Sequence, residues 1–530
     1  HAQIPIVQLG SDLDGEAAGD EFGGSVSLSH SGDTMAVGGL ANDGTASDAG
    51  HVRVFAYDSN SGSWTQLGGD IDGEAVADSS GASVSLSSDG RRVAIGAPRN
   101  DGNGQNSGHT RIYEYDASTA SWTQLGGDID GEAVADSSGA SVSLSADGNR
   151  VAIGAPLNDG NGQNSGHTRI YEYDGSTASW TQLGSDINGE TSNDQSGFSV
   201  SLSADGERVA IGAPGNDGTA DFAGHVRVFA YNATSGNWTK LGSDIDGEAR
   251  FDKSGNSVSL SADGRRVAIG APFNNDNGYV SGHTRIYEYN TSSNSWVQLG
   301  IDIDGESRVN FSGYSVSLSA DGERVAIGAP PNYGNGLYSG HTRIYEYDAS
   351  TTSWTKQGRD INGEAAGDSS GFSVSLSADG GRVAIGAPLN DDNGNFSGHA
   401  QVFEVGVTPV TPINVLINQV GSDLDGEAAD DGFGGSVSLS HSGDTMAVGA
   451  PENDGNNLNA GHVRVFAYDS NSGIWTQLGA DINGVAAGDL SGFSVSLSAD
   501  GRRVAIGGSR GNYTRIYEYD ATTTSWNQLG

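Results

Sequence analysis

Short runs in which apolar and polar residues alternate recur along the whole chain. A typical stretch holds the runs SVSLS at 83–87, RVAIGA at 92–97, HTRIYEY at 109–115 and SWTQL at 121–125. The runs are rich in β-branched and aromatic residues, and Gly, Asn, Asp and Ser separate them, which is typical of strands joined by tight turns. No window shows a sustained apolar period of 3.6 residues, so no helix is predicted. The pattern predicts four short antiparallel strands in each unit.

The unit repeats with a period of 58 residues. The run SVSLS begins at Ser25, Ser83, Ser141, Ser199, Ser257, Ser315 and Ser373, then at Ser436 after a longer step, and at Ser494. A repeat of this size is one supersecondary unit that must pack against its neighbours to bury its apolar face. Four antiparallel strands repeated radially form a β-propeller blade. We predict an all-β chain, a seven-bladed β-propeller of four-stranded blades followed by the first two blades of a second propeller.

The ends of the first seven units indicate how the ring closes. Every unit except the seventh carries a Trp in its fourth strand, whereas residues 408–412 after the seventh unit read TPVTP. The spare run IVQLG at 6–10 resembles the WTQLG endings and is predicted to complete the seventh blade, leaving no free edge. The predicted organisation is a propeller at 1–407, a Pro-containing linker at 408–419, and two blades of a second, incomplete propeller at 420–530. Because two blades cannot close, we expect further blades beyond residue 530.

Composition narrows the classes of partner. The chain has 67 acidic residues against 26 Lys and Arg, for a net charge of -41, which disfavours nucleic acid and anionic membranes and favours cations or basic surfaces. There is no Cys and no apolar run long enough for a membrane span. The chain starts at His1, so we expect that a signal peptide has been removed and that the protein is extracellular.

Four segments of the fourth unit carry a family resemblance: GFSV at 197–200, GAP at 212–214, GHVRVFAY at 224–231 and WTKLG at 238–242. Together they resemble the FG-GAP repeat, the blade unit of integrin α-subunit propellers. The resemblance covers all nine units and implies a seven-bladed, extracellular, adhesive or ligand-binding propeller. The family's calcium loop lies between the FG and GAP elements, but here that interval shortens to SADGER at 203–208, so calcium is not expected at that position.

A different acidic segment joins the fourth strand of one unit to the next unit. Its carboxylates occupy positions one, three, five and nine in five units: Asp12, Asp14, Glu16 and Asp20; Asp70, Asp72, Glu74 and Asp78; Asp128, Asp130, Glu132 and Asp136; Asp244, Asp246, Glu248 and Asp252; Asp423, Asp425, Glu427 and Asp431. Oxygen ligands at alternate positions of a Gly-containing loop suit Ca²⁺, which makes these residues candidate ligands. Alternatively, Asp and Gly form the turn and Glu caps backbone N–H groups between blades.

Asn-Asp-Gly-Asn-Gly loops, as at residues 100–104, should share one rim of the ring with the acidic segments. They are candidates for binding a polar ligand, or they are simply hairpin turns. Eight of the eleven His residues recur after Gly at the start of the third strand, as at His109, and this repetition favours a structural role. Because no unit shows a singular constellation of nucleophile, base and charge stabiliser, the sequence predicts a protein that is not an enzyme.

Two further sets of residues break the pattern or carry a modification motif. Asn-X-Ser/Thr sequons, candidate glycosylation sites, occur at Asn232, Asn237, Asn290, Asn310, Asn395 and Asn512. Aromatic residues depart from the consensus in loops of units four to six, where they are a candidate partner-binding patch: Phe222, Phe251, Phe273, Tyr279, Tyr333 and Tyr338.

Three functions fit these features. The first is a structural protein whose tandem acidic propellers build an extracellular filament, appendage or matrix by contacting other copies or other extracellular proteins. The second is an integrin-like adhesion or glycan-binding module that uses the aromatic patch. The third, a minor alternative, is a propeller-fold enzyme acting on glycans, since paired carboxylates abound.

Overall fold

The computed structural model describes residues 5–406, 424, 427–428, 431–434, 436–440, 443–455, 457–470, 472–498, 500–508 and 513–529. The chain divides into two compact units, residues 1–409 and 410–530. All regular structure in the described residues is β-strand, arranged in antiparallel sheets of the predicted kind, which confirms the all-β propeller class. The linker predicted at 408–419 lies outside the described residues.

The second blade shows how the sequence pattern becomes a sheet. Its strands are Ser83–Leu86, Arg92–Ala97, His109–Asp116 and Ser121–Gln124, paired in that order. The short strand Ile129–Asp130 then pairs with the start of the third strand. Alternation along these strands points apolar side chains into the space between blades.

The same elements recur in all seven blades of the first compact unit, residues 1–409. The inner strands are Phe22–Leu28, Ser83–Leu86, Ser141–Leu144, Ser199–Leu202, Ser257–Leu260, Ser315–Leu318 and Ser373–Leu376. The second strands are Thr34–Gly39, Arg92–Ala97, Arg150–Ala155, Arg208–Ala213, Arg266–Ala271, Arg324–Ala329 and Arg382–Ala387. The third strands are His51–Asp58, His109–Asp116, His167–Asp174, His225–Asn232, His283–Asn290, His341–Asp348 and His399–Val405.

The outer strands are Ile6–Gln8, Ser63–Gln66, Ser121–Gln124, Ser179–Gln182, Asn237–Lys240, Ser295–Gln298 and Ser353–Asn362. The short strands are Leu13–Asp14, Ile71–Asp72, Ile129–Asp130, Ile187–Asn188, Ile245–Asp246 and Ile303–Asp304. In the sixth blade the outer strand Ser353–Asn362 includes the short strand and carries a register shift.

Serine hydroxyls join neighbouring inner strands around the ring. Ser83 Oγ donates to the Gly139 carbonyl at 2.9 Å, and the Leu86 amide donates to Ser27 Oγ at 3.0 Å. The same bonds link the last blade to the first, because Ser373 Oγ donates to the Gly23 carbonyl at 2.9 Å and the Leu28 amide donates to Ser375 Oγ. The repeated Ser residues of SVSLS are therefore the groups that hold the blades together at the centre.

The hydrophobic core lies between blades, as the packing of blade one on blade two shows. Val52, Val54 and Ile71 of blade one pack against residues of blade two that include Val84 and Ile95. At the periphery the indole Nε1 of Trp122 donates to the Leu67 carbonyl of the preceding blade at 2.7 Å. The Trp that recurs in the fourth strand of the repeats thus forms a contact between blades at the outer edge of the ring.

The N-terminal strand Ile6–Gln8 is the outer strand of the last sheet. It pairs antiparallel with the third strand, with Ile6 opposite Val405, and the Leu9 amide donates to the Val402 carbonyl at 2.7 Å. Ile6 packs in the core, whereas the next residue, Val7, is 56% exposed. The pairing agrees with the missing Trp strand after the seventh unit.

The second unit contains two sheets. One consists of Ser436–Leu439, Thr445–Ala450, His462–Asp469 and Ile474–Gln477 with the short strand Ile482–Asn483, and the other of Ser491–Leu497, Arg503–Gly508, Tyr513–Asp520 and Ser525–Gln528. Val463, Val465 and Ile482 of the first sheet pack against Val504 and Ile506 of the second. Across the described part of the chain, no helix is long and apolar enough to cross a lipid bilayer.

A buried histidine begins the third strand of each blade in the first unit. Burial lowers the pKa of His167 from its ordinary value of 6.5 to about 4, and the adjacent Arg169 lowers it further, while Asp186 and Asp136 act in the opposite direction. Burial, reinforced by Arg53, likewise lowers the pKa of His51 to about 4. The imidazoles of His51 and His167 are therefore neutral in the folded protein at neutral pH.

We expect the N-terminal strand Ile6–Gln8 to gain stability only from the face that packs in the core. Ile6→Thr places a hydroxyl in the core and should cost roughly 1–3 kcal/mol. Val7→Thr, on the exposed face of the same strand, should change the free energy of unfolding by less than about 0.5 kcal/mol. The measurement is the thermal midpoint of each variant by calorimetry. Equal effects of the two substitutions would show that this strand does not pack as described.

The buried histidines predict that stability falls as the pH is lowered from 7 to 5.5. The unfolded chain binds protons on these residues below about pH 6.5, whereas the folded chain binds them only near pH 4. Each such residue contributes a slope of up to about 1.4 kcal/mol per pH unit. The Tm of His167→Gln should therefore fall less steeply with decreasing pH than that of the wild type. A wild-type Tm that stays constant until carboxylates titrate would contradict this prediction.

Candidate functional site

The acidic segment of each unit crosses from one blade to the next on one rim of the ring. After the outer strand of blade one, Asp72 pairs with His51 at the start of the third strand. The segment then reaches blade two, where the Asn100 Nδ2 donates to Asp78 Oδ2 at 3.0 Å. The rim therefore brings together the acidic segments and the loops between second and third strands, as the sequence suggested.

Three of the four carboxylates of one acidic segment have separate partners. Gln66 Nε2 donates to Asp70 Oδ1 at 2.6 Å, Glu74 forms a 3.3 Å ion pair with Arg111, and the Ala75 amide donates to Asp78 Oδ2 at 2.9 Å. The backbone carbonyl of Asp72 accepts a hydrogen bond from Arg111, and burial, together with Asp70, raises the pKa of the Asp72 carboxyl.

The other units repeat these roles position by position. Position one accepts a bond from the side chain four residues earlier in Asp12, Asp128 and Asp244. The carbonyl at position three accepts from an arginine of the next blade in Asp14, Asp130 and Asp246. Position five pairs with that arginine in Glu16, Glu132, Glu248 and Glu427. Position nine accepts a backbone N–H in Asp20, Asp136, Asp252 and Asp431.

The sequence-based alternative to calcium gave the capping of backbone N–H groups to Glu. In the structure the Asp at position nine accepts those N–H groups, and the Glu at position five pairs with an arginine of the next blade. Calcium in the acidic segments stays a prediction. Asp423 and Asp425 lie outside the described residues.

The structure instead brings together residues from two successive acidic segments and one histidine. Donor atoms of Glu74, His109 and Asp128 lie within 4.8 Å of one another. Equivalent groups are Glu16, His51 and Asp70; Glu132, His167 and Asp186; and two larger groups, Glu248, Asp276, His283 and Asp302, and Asp12, Glu364, Asp392 and His399. The sequence analysis did not find these groups, although carboxylates 35 residues before and 19 residues after His51, His109, His167 and His283 are a visible signal.

The Asn-rich loops also contact the acidic segments. The Asn103 Nδ2 donates to the Gly131 carbonyl at 2.9 Å, and the Asn100 Oδ1 accepts from the Gly102 amide at 2.8 Å. Their amide groups are therefore engaged in structure as well as lying on the rim.

The aromatic residues of blades four to six meet in pairs on this rim. Phe222 stacks on Phe251 with ring centroids 5.8 Å apart, and Tyr333 lies 5.6 Å from Tyr338. Phe273 packs edge-on against Phe311 at 5.2 Å, although Phe311 was not among the sequence-predicted residues. Tyr279 is 68% exposed. We call these seven residues the aromatic arc.

Two cations and an unusual backbone conformation accompany the aromatic arc. Arg250 lies over the Phe251 ring at 4.4 Å, and Lys253 over the Phe273 ring at 4.7 Å. Phe222 and Phe251 have positive φ angles of 53° and 69°. Bulky residues rarely adopt this left-handed conformation, but the equivalent residues Asn106 and Asn193 adopt it as well, so it is a property of the repeat.

The sequons differ in accessibility. Asn232, Asn237, Asn290 and Asn395 are exposed, so glycosylation there stays a prediction. Asn310 is completely buried, which leaves no room for a glycan on the folded chain. Asn512 lies outside the described residues.

Comparison with known proteins identifies the repeat. A model of the FG-GAP repeat matches residues 362–403 and 424–466, which confirms the resemblance drawn from the sequence. No curated protein matches the chain in sequence.

Several solved structures are similar to this chain at low sequence identity. Kuenenia stuttgartiensis hydrazine synthase has 13% identity and a TM-score of 0.47, covering 74% of this chain and 98% of its own. A proposed 6-phosphogluconolactonase from Bacteroides uniformis has 12% identity and a TM-score of 0.46, covering 64% and 85%. The periplasmic gluconolactonase of Pseudomonas aeruginosa has 14% identity and a TM-score of 0.39, covering 81% and 92%.

These neighbours correct the prediction that the protein is not an enzyme. Two of them carry lactonase names, so a regular propeller of this kind does not exclude catalysis. At 12–14% identity they bear on the fold alone and assign no activity to this chain. The chain carries FG-GAP repeats and is a β-propeller protein.

Proposed function

We propose that this protein is an extracellular binding module whose aromatic arc holds a neutral glycan. The observation that carries the proposal is the grouping of exposed aromatic rings on one rim of consecutive blades. Blades two and three have Asn106 and Asn164 at the position of Phe222 and Tyr338, whereas blade seven continues the aromatic series with the exposed Phe396.

The chemistry of the rim suits a sugar. Flat aromatic faces pack against the C–H faces of pyranose rings, and amide and carboxylate groups bind hydroxyls in directed hydrogen bonds. Asp221 and Asp276 lie exposed in the same loops as Phe222 and Tyr279. A net charge of -41 disfavours an anionic polymer and leaves neutral or basic glycans as the favoured class.

A second function, a building block of a larger assembly, is supported by the second unit. Val437 and Leu439 of its first strand are 53% and 55% exposed. The matching residues of blade two, Val84 and Leu86, are buried against the preceding blade. Exposed apolar strand faces of this kind require cover, from further blades or from another molecule.

The repeat itself supplies variants that test glycan binding without disturbing the backbone. At positions equivalent to Phe222 and Phe251, blade two has Asn106 and the segment after blade three has Asn193, with the same positive φ. Phe222→Asn and Phe251→Asn should therefore fold normally. We expect each to weaken retardation in affinity electrophoresis through neutral polysaccharides by about 3- to 10-fold.

The matched control is Asn106→Ala, which changes the same position in a loop without aromatic residues and should leave binding unchanged. Wild-type protein that no neutral polysaccharide retards, or variants that bind as tightly as wild type, would contradict the glycan proposal.

The assembly function predicts concentration-dependent association of the 530-residue chain. Substituting both Val437 and Leu439 by Lys should abolish it, because charged residues cannot be buried at an apolar contact. Val485→Lys, at an exposed loop position, is the control and should have no effect. Analytical ultracentrifugation between about 1 and 100 μM covers the range in which specific but weak contacts form. A wild-type chain that stays monomeric throughout would rule out this contact.

A further inference from the structure

The seventh blade lacks a cation that every other described blade of this pattern has. In the third strands an arginine two residues after the histidine pairs with the glutamate of the preceding acidic segment. These arginines are Arg53, Arg111, Arg169, Arg227, Arg285, Arg343 and Arg464. At this position the seventh blade has Gln401, which bears no charge.

Three carboxylates nevertheless gather beside Gln401. Donor atoms of Asp12, Glu364, Asp392 and His399 lie within 4.8 Å of one another. The Gln401 Nε2 donates to Asp12 Oδ1 at 2.9 Å and to Glu364 Oε1 at 3.1 Å, so one neutral amide serves two carboxylates. Among the described residues, no Lys or Arg forms an ion pair with any of the three acids. The group therefore concentrates negative charge without a protein cation to balance it.

Asp392 is itself a departure from the repeat. The matching positions in blades two and three are Gly102 and Gly160, and blade five also has an acid there, Asp276. Blade five keeps its arginine, Arg285, so the seventh blade is the one that combines the added carboxylate with a lost arginine. Both changes make the group more negative. Burial raises the pKa of Glu364, and Asp12 and Asp392 raise it further, while His399 and the bond from Gln401 oppose the shift.

The buried His399 points an unsatisfied nitrogen into this group. Its side chain is 1% exposed, its Nδ1 has no hydrogen-bond partner, and that atom lies 4.0 Å from Asp392 Oδ2. A buried polar atom without a partner is costly, and such atoms in native structures commonly mark an ion or other ligand. This nitrogen is an observation independent of the acidic residues around it.

We propose that Asp12, Glu364, Asp392 and His399 bind one divalent transition-metal ion, of the class of Zn²⁺ or Mn²⁺. An imidazole nitrogen combined with carboxylate oxygens favours these ions over Ca²⁺, which takes oxygen ligands alone. Ligand bonds of about 2.0–2.2 Å place donors up to roughly 4.4 Å apart, so small movements of the exposed Glu364 and Asp392 side chains complete the site.

The position of the site gives the ion a defined role in the fold. Asp12 follows the N-terminal strand, whereas the other three ligands belong to the sixth-to-seventh blade segment and the seventh blade. A bound ion links the segment that follows the N-terminal strand to the last blade. A polar cavity of about 320 Å³ shares Glu364 and Gln401 with the site, and gives water or a small oxygen ligand access to the ion's remaining positions.

The test uses the full 530-residue chain after removal of metals with a chelating resin. Titration calorimetry with Zn²⁺ and with Mn²⁺ should show one site per chain, and the bound ion should raise the Tm. Gln401→Arg restores the arginine of the other blades and removes no ligand. It should weaken binding by at least about 10-fold, as changes beside a metal site do. Glu74→Gln, in the arginine-containing group of blade two, is the control and should bind like wild type.

Asp392→Asn tests the same site on an exposed loop if Gln401→Arg does not fold, and the same loss of affinity is expected. The proposal is overturned if wild-type protein binds neither ion above the background of the metal-free buffer. It is also overturned if Gln401→Arg and Asp392→Asn bind with wild-type affinity. Binding of Ca²⁺ alone, at several equivalents per chain and unaffected by these variants, would assign cations to the acidic segments instead.

Discussion

The close approach of neighbouring blades near the axis is the constraint on which the rest of the ring depends. A Cβ built on Gly96 would lie 2.0 Å from the Gly139 carbonyl of the next blade, so only glycine fits there. The serine hydroxyls of the inner strands then satisfy the carbonyls that this approach buries. Farther from the axis the gap widens, and the larger Val, Ile and Trp side chains fill it. Side-chain size therefore increases within a blade from Gly and Ser near the axis to Trp at the outer edge, because the gap between blades widens in that direction.

Most of the fold could be read from the sequence because a 58-residue period multiplies every local signal. Alternation in HTRIYEY and the turn residues around it mark strands that the structure pairs in the expected order. The missing Trp after Val405 and the spare IVQLG segment predict the pairing of Ile6 with Val405 that the structure shows. Where both local pattern and repeat agree, the predicted strand positions need no knowledge of tertiary structure.

The candidate sites could be predicted only in part. Single residues such as Phe222 and Tyr338 stood out because they break the consensus, but their pairing across loops depends on the ring. The Glu–His–Asp groups were missed because their members come from two acidic segments and a third strand. The spacing of carboxylates within one segment, such as Asp70 to Asp78, therefore does not reveal them. Gln401 was also missed, because a glutamine on its own suggests no function. Its importance becomes clear only from the arginines that occupy the matching position in other blades.

The N-terminal outer strand of the last sheet has a consequence for biosynthesis. Ile6 and its partner Val405 are separated by almost the whole first propeller, so the strand Ile6–Gln8 must wait for the third strand of the last blade. At roughly 5–20 residues per second, ribosomes need about 20–80 s to make the intervening chain. During that time the earlier blades can stack, but the sheet that receives Ile6 does not exist. The strand Ile6–Gln8 therefore stays unpaired while the rest of the propeller is made, and any factor that escorts the nascent chain must release this strand late.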